Sequence, residues 1–305
     1  MDKDFYNKSS ADSLGWSPDW FGATEFDDIL VEKVAEWQKS MDLNADGLVG
    51  PATYRRIWTE RESEISNYKT NSFEQCSNNK HIVHNGGFIP IKWDKVVLWD
   101  EENGLSCKRG TYTSYAGEKD RSPHFFVNHW DVCLNSKSMA KVIQKRGISI
   151  HFGIDNDGTI YQLLDTQHAA WQAGGRRWNH DSIGVEISNA YYPKYQGWYV
   201  KNGFGKRPLI QKGDVKCHGR SLGEHLGFYD VQKEALKALW SAISNGLDIP
   251  LECPIDNKGN HINTVDPECK SSSFSGFINH FNLTERKVDC AGLDMVKLLD
   301  EAKKL

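Results

Sequence analysis

The pattern of apolar and polar positions divides the chain into segments of different character. Ile29, Leu30, Val34, Trp37 and Met41 recur at helical spacing, which predicts an amphipathic helix of about three turns. A tight turn follows, Asn44-Ala-Asp-Gly-Leu-Val-Gly50, and Pro51 stands where the first residue of a helix belongs. A second helix is therefore expected from Pro51 through Tyr54, Ile57 and Trp58. Residues 1–25 carry turn formers among polar and aromatic residues and show no clear period. Residues 60–80 pass from a charged helix end into a Ser/Asn-rich run with the composition of a linker.

From residue 81 onward the period shortens. Ile82-Val83, Phe88-Ile89 and Val96 to Trp99 read as short strands, and 100–121 as loop. Phe125 to Val127 forms a strand that ends at His129, and 136–147 a helix closed by Gly147. Ser149–Ile154 and Thr159–Leu164 are strands joined across Asp155-Asn-Asp-Gly158, a hairpin signal. Ile183–Ile187 is a further apolar strand with one carboxylate, Glu186, inside it. Residues 190–226 form a long Gly/Tyr/Lys insertion with little period. Val231, Ala235, Leu236, Leu239, Trp240 and Ile243 mark a strong amphipathic helix over 230–246. Residues 250–275 look irregular, and 293–305 form a closing helix. Strands and helices mix without strict βαβ repetition. The expected class is α/β, a mixed central β-sheet flanked by helices, with a small all-α module ahead of it. The boundaries are a helical module over 1–62, a linker over 63–80 and the α/β domain over 81–305.

Composition narrows the function. The net charge of −4 offers no basic field for nucleic acid. No run of about 18 apolar residues exists, so no membrane span is expected. The first residues, MDKDFYNKSSADSLGW, lack the basic and apolar regions of a signal peptide, which predicts synthesis in the cytoplasm and action elsewhere only after release. The seven cysteines are scattered without a CxxC pair, against a zinc ribbon or a dense disulfide framework, and most are expected to be reduced and buried. The eleven tryptophans suit both core packing and a surface for sugars or peptides. Nothing demands more than a monomer. Asp42, Asn44, Asp46 and Gly47 fit the start of a calcium loop, but its twelfth position is Thr53 rather than Glu, which weighs against calcium.

A lone Glu in an apolar strand is costly to bury unless something nearby needs its charge. Metal-assisted hydrolysis would supply that need. Zinc catalysis asks for three protein ligands and one open position. His129 and His280, each after an apolar strand, are candidates, with Asp289 and Cys290 nine and ten residues past His280. His151 lies in a strand as a core or surface position.

Two stretches carry a resemblance. Val34-Ala-Glu-Trp-Gln38 followed by Leu43-Asn-Ala-Asp-Gly-Leu-Val-Gly-Pro-Ala-Thr53 resembles the peptidoglycan-binding module of bacterial and phage wall hydrolases, with Trp37, Gln38, Asp46, Gly47, Gly50 and Pro51 on its motif and Asp42 where that family usually has Gly. Val127-Asn-His129, Ser149-Ile-His-Phe152, Asp155 to Gln162, Ala170-Trp-Gln-Ala-Gly174, Asn179 to Glu186, and His280 with Arg286-Lys-Val-Asp289 resemble, in order, the zinc-dependent N-acetylmuramoyl-L-alanine amidases and peptidoglycan-recognition proteins.

The resemblance implies Zn2+ held by His129, His280 and Asp289, Glu186 as general base and Lys287 as oxyanion stabiliser. Trp171, Gln172 and Asn179 would then meet substrate. Cys290 stays open as third ligand on the count from His280, whereas the place of Lys287 favours Asp289. This chain departs from the family at Gln172, where a His is usual, at Cys290, where a Pro is usual, and at Ile150, where some relatives have Tyr. The implied activity is cleavage of bacterial peptidoglycan between N-acetylmuramic acid and L-alanine, as in a phage endolysin. The alternatives are a non-catalytic muropeptide binder and an antibacterial effector amidase.

Overall fold

The computed structural model describes residues 2–65, 80–115 and 121–305. The expected linker lies almost wholly outside them. The N-terminal module has three helices, α1 (Lys3–Leu14), α2 (Asp28–Ser40) and α3 (Pro51–Ser63). Helix α1 occupies the stretch read as turn-rich. Its signals are local rather than periodic. Asp2 caps the first turn by accepting from Phe5 N at 3.0 Å, and Gly15 closes the last turn at φ 77°. Only Asn7, Ala11 and Leu14 on it are buried, too few to make a period stand out.

The remaining chain builds β1 (His81–His84) and β2 (Gly87–Pro90), then β3 (Val96–Leu98), β4 (Tyr112–Thr113) and β5 (Phe125–Trp130). Helix α4 (Ser136–Lys145) leads to β6 (Phe152–Ile154), β7 (Ile160–Gln162) and β8 (Ala169–Ala170), then α5 (Arg176–Asp181) and β9 (Ser182–Ile187). The 190–226 insertion holds α6 (Gln196–Lys201) and four two-residue strands, β10 (Leu209–Ile210), β11 (Lys216–Cys217), β12 (Arg220–Ser221) and β13 (His225–Leu226). Helices α7 (Asp230–Leu247) and α8 (Pro267–Lys270), strand β14 (Gly276–Asn279) and helix α9 (Met295–Ala302) complete it.

Six strands form the central sheet in the order β14-β5-β9-β6-β7-β3. All neighbouring pairs run parallel except β6 and β7, which are antiparallel across the Asp155–Gly158 turn. This is the mixed sheet expected. Both faces are covered, so β5 and β14 are buried at every position and read as continuous apolar runs. One face takes α7, whose fully buried Trp240 donates to Asn128 Oδ1 at 3.1 Å while Asn128 Nδ2 donates to Ile278 O at 2.9 Å. The helix is thereby tied to two strands at once.

Helix α4 covers the other face, and the N-terminal module packs on α4. Leu30, Tyr54 and Ile57 share one apolar cluster with Met139, Ile143, Tyr161 and Val97. Polar ties fix the docking. Thr59 Oγ1 donates to Val132 O at 2.8 Å, Ser138 Oγ bonds Glu62, and Arg56 Nε donates to Tyr192 OH at 2.6 Å. The insertion has a small core of its own, Tyr195, Trp198, Tyr199 and Leu226. Arg207 pins it by donating to Ser188 O at 2.7 Å and Gly227 O at 3.0 Å beneath the Tyr199 and Tyr229 rings. No helix among the described residues is long and apolar enough to cross a membrane.

Candidate active site

Parallel pairing of β5 with β9 sets His129 opposite Glu186, so both side chains leave the sheet on one face near its carboxyl edge. His280 follows β14, the neighbour of β5 on the other side. Asp289 returns on the loop after it. The three side chains His129, His280 and Asp289 are buried, with donor atoms all within 4.8 Å of one another. Among the described residues no other three His, Cys, Asp or Glu converge in this way. Asp289 Oδ2 lies 3.0 Å from His129 Nδ1 and 3.1 Å from His280 Nδ1, with the two rings edge to face at 4.5 Å.

The protons around His129 can be traced. Ser182 Oγ donates to Trp178 O at 2.6 Å, so it accepts from Gln172 Nε2 at 2.7 Å. That turns Gln172 Oε1 toward His129 Nε2, with which it makes a close hydrogen bond. The carbonyl oxygen can only accept, so Nε2 carries a hydrogen, and Nδ1 is the ring nitrogen turned toward Asp289. Two imidazole Nδ1 atoms and a carboxylate oxygen brought this close form a group that could share one cation. Burial pushes His280 down to about 4, His129 and Lys287 add to that, and Asp289 opposes it. A buried neutral imidazole is the form that binds metal. Burial alone would raise Asp289, yet His280, His129 and Lys287 hold it well below the usual carboxylate range. Two imidazoles and a carboxylate are a donor set that suits zinc.

Cys290 does not join this group. Its thiol is buried in the apolar cluster around Leu293 and Phe281 and is pushed well up, by burial first and then by Asp289, Glu186 and Asp131. Glu186 Oε2 is buried without a hydrogen-bond partner, as expected of a carboxylate that waits for a ligand. The Lys287 ammonium is drawn down by burial, against the pull of Asp289.

The residues expected to meet substrate divide. Trp171 is 39 % exposed, its Nε1 donating to Thr113 Oγ1 at 3.1 Å. It borders a cleft of about 760 Å³ lined also by Tyr115, Arg176, Arg177 and Asn179. Asn179 Oδ1 accepts from Gln172 N at 3.0 Å and Ala173 N at 2.7 Å, so this atom staples the Trp171 loop. Gln172 serves His129, and Gly184 leaves the room, since a Cβ there would stand 2.7 Å from Gln172 Oε1.

His151 is structural. Its Nδ1 accepts from Gly184 N at 3.1 Å, and its Nε2 bonds His168 O at 2.9 Å. The sequence reading missed Arg121, which donates to His180 O at 2.7 Å and to Thr166 O at 2.5 Å beneath the same loop. It sits next to a polar run with no period that would mark it.

In the module, the motif residues hold the helix–turn–helix. Gln38 Nε2 donates to Asp46 Oδ1, Leu48 O and Thr53 Oγ1, each at 3.0 Å, and Gly47 N donates to Gln38 Oε1 at 2.8 Å. Gly47 has φ 74°, and a Cβ there would meet Val31 Cγ1 at 2.6 Å. Gly50 caps α3 and Pro51 starts it. Trp37 packs edge to face on Phe21 and donates to Glu60 at 3.3 Å.

Comparison with known proteins agrees with this division. Residues 119–268 match the family described as N-acetylmuramoyl-L-alanine amidase, and residues 12–57 match the putative peptidoglycan binding domain. The first match ends before His280 and Asp289, which the geometry alone brings to His129. None of the curated proteins compared with the chain matches it. Among solved structures, the chain is similar to the N-acetylmuramoyl-L-alanine amidase LysC from Clostridium intestinale URNW, at 14% identity and a TM-score of 0.39 over 68% of this chain and 97% of that one. It is also similar to AmpDh3 from Pseudomonas aeruginosa in complex with anhydromuramic pentapeptide, at 19% identity and a TM-score of 0.38 over 65% of this chain and 66% of that one. The chain thus carries an N-acetylmuramoyl-L-alanine amidase domain behind an N-terminal putative peptidoglycan-binding domain.

Proposed function

We propose that this is a zinc-dependent peptidoglycan hydrolase that cleaves the amide between N-acetylmuramic acid and L-alanine, working as a monomer in the manner of a phage endolysin. The observation that carries the reading is the convergence of His129, His280 and Asp289 beside the partnerless carboxylate of Glu186. Zinc held by those three side chains would supply Lewis acidity, polarising the scissile carbonyl and lowering the pKa of water to about 7. Glu186 takes the proton of the attacking water and returns it to the leaving amine of L-alanine. Lys287, fixed two residues before Asp289, places positive charge where the carbonyl oxygen turns negative. Gln172 holds His129 in one tautomer and orientation. Trp171 offers a flat, half-exposed ring to the substrate at the rim.

In this reading the module, residues 1–62, keeps the catalytic domain, residues 81–305, on the wall. The pairing of a wall-binding domain with an amidase suits such a lysis role. The experiment measures zinc in the purified protein and follows new L-alanine amino termini released from peptidoglycan with and without chelator. Chelator-sensitive release supports the reading. New reducing sugar ends instead of amino termini would sink it. Lysis of walls applied from outside, lost when residues 1–62 carry Gly47→Val, tests the part given to the module.

A further inference from the structure

One guanidinium gathers both ends of the loop that carries Trp171 and Gln172. Arg121 is 4 % exposed, and four of its five N–H groups reach backbone carbonyls. Nη1 donates to Thr166 O at 2.5 Å, where the loop begins. At its end, Nε donates to His180 O at 2.7 Å, and Nη2 donates to Asn179 O at 3.2 Å and, in a closer bond, to Ser182 O. The same bonds close α5. A helix leaves its last four carbonyls without partners of its own, and α5, six residues long, has no buried residue to hold it. Arg121 takes Asn179 O and His180 O, Ser182 Oγ takes Trp178 O at 2.6 Å, and His124 N takes Asp181 O at 3.0 Å.

The charge has no carboxylate of its own. Among the described residues Arg121 makes no ion pair, and the Asp181 carboxylate is engaged by Arg177, His180 and Ser272. A desolvated guanidinium is costly, and each carbonyl it satisfies offsets part of that cost, so the cation and its four carbonyls hold together. What this clamp supports is the candidate metal site. Asn179 and Ser182, whose carbonyls Arg121 binds, are also the residues whose side chains hold Gln172. Asn179 Oδ1 accepts from Gln172 N at 3.0 Å, and Ser182 Oγ accepts from Gln172 Nε2 at 2.7 Å. Gln172 Oε1 in turn bonds His129 Nε2.

We propose that Arg121 is a positioning residue for the metal site: it fixes Asn179 and Ser182, through them the Gln172 amide, and through Gln172 the ring of His129. This rests on the zinc reading above. Arg121 then governs metal affinity only by way of Gln172. An arginine suits the task because its planar fork holds several donors in a fixed geometry, which an ammonium does not.

The test is a double-mutant cycle on zinc affinity in the full-length protein, read by competition with a chromophoric chelator. Arg121→Met should weaken zinc binding about tenfold in the wild-type background but by less than about twofold in the Gln172→Ala background, where the link it acts through is already gone. Arg121→Lys keeps the charge with a poorer fork, so it should fall between wild type and Arg121→Met in the first background and have no effect beyond about twofold in the second. Thermal melting reports whether each variant folds, and Arg121→Lys carries the cycle if Arg121→Met does not. Equal weakening in both backgrounds, the mark of an arginine that supports only the fold, overturns the proposal. So does zinc affinity that both substitutions leave unchanged within about twofold. A wild type that takes up no zinc overturns the zinc reading and this proposal with it, whereas a zinc-binding wild type with an additive cycle overturns this proposal alone.

Discussion

His151 and His280 are both buried histidines at the central sheet, and they are used in opposite ways. His151 has each ring nitrogen matched by a backbone group, Gly184 N on one side and His168 O on the other. It is complete as a neutral imidazole, and burial drives it down to about 3. His280 and His129 both turn Nδ1 toward one carboxylate oxygen of Asp289, an arrangement of side-chain atoms that could hold a metal ion. A histidine whose hydrogen bonds close on the backbone belongs to the fold, and one whose lone pair meets other ligand atoms belongs to a site.

The comparison breaks most sharply at Asp289. Asp289→Ala should abolish zinc uptake and lower amide cleavage by at least about 10⁴-fold, since the metal and its Lewis acidity are lost together. Cys290→Ala, read by the same zinc assay, should keep the metal, because that thiol lies in the apolar cluster. A zinc-free Cys290 variant beside a zinc-loaded Asp289 variant would reverse the assignment of the third ligand. Next in size is Glu186→Gln. It removes the proton acceptor and no ligand, so zinc content should hold while the cleavage rate falls about 10²- to 10⁴-fold. Loss of zinc in that variant would place Glu186 in the metal site instead.

Gln172→Ala sharpens the contrast at its subtler level. With the acceptor for His129 Nε2–H gone, the ring loses its enforced tautomer. Zinc affinity, measured by competition with a chromophoric chelator, should weaken by about 10- to 100-fold. Affinity unchanged within about twofold would show that the chain from Trp178 O through Ser182 and Gln172 does not orient the ligand.

Much of this is legible in the sequence. The helical period of α2 and α7 and the start of α3 at Pro51 follow from local rules of packing and capping. His129 and His280 were visible as histidines at strand ends, and Glu186 as a carboxylate out of place in an apolar strand. Other features depend on distant partners and left no local mark. Helix α1 is held by caps and three buried residues rather than by a stripe. The 190–226 insertion is ordered by its own small core and by Arg207, which reaches Ser188 and Gly227. Gln172 looked like the loss of a family histidine, and only the fold shows its amide pinned between Ser182 and His129.

The smallest effect expected lies in the acid stability of His151, and its sign separates the two kinds of histidine. The ordinary value is 6.5 and the folded value about 3, so the unfolded chain binds the extra proton between them. Stability therefore rises with pH through that window and is complete above about 6.5. It falls as pH drops toward 3, by at most about 1.4 kcal/mol per pH unit for this one group. Denaturant titrations of wild type and His151→Gln between pH 7 and 4 should show a shallower decline in the variant, with zinc content at pH 7 unchanged. The variant loses some stability at pH 7 as well, because one side-chain amide cannot meet both Gly184 N and His168 O as the ring does. Zinc added in excess should flatten whatever His280 contributes to the decline and leave the His151 part in place, since metal opposes protonation only at the nitrogens it occupies. A decline that zinc removes entirely would mean that the neutral state of His151 gives the fold nothing of its own.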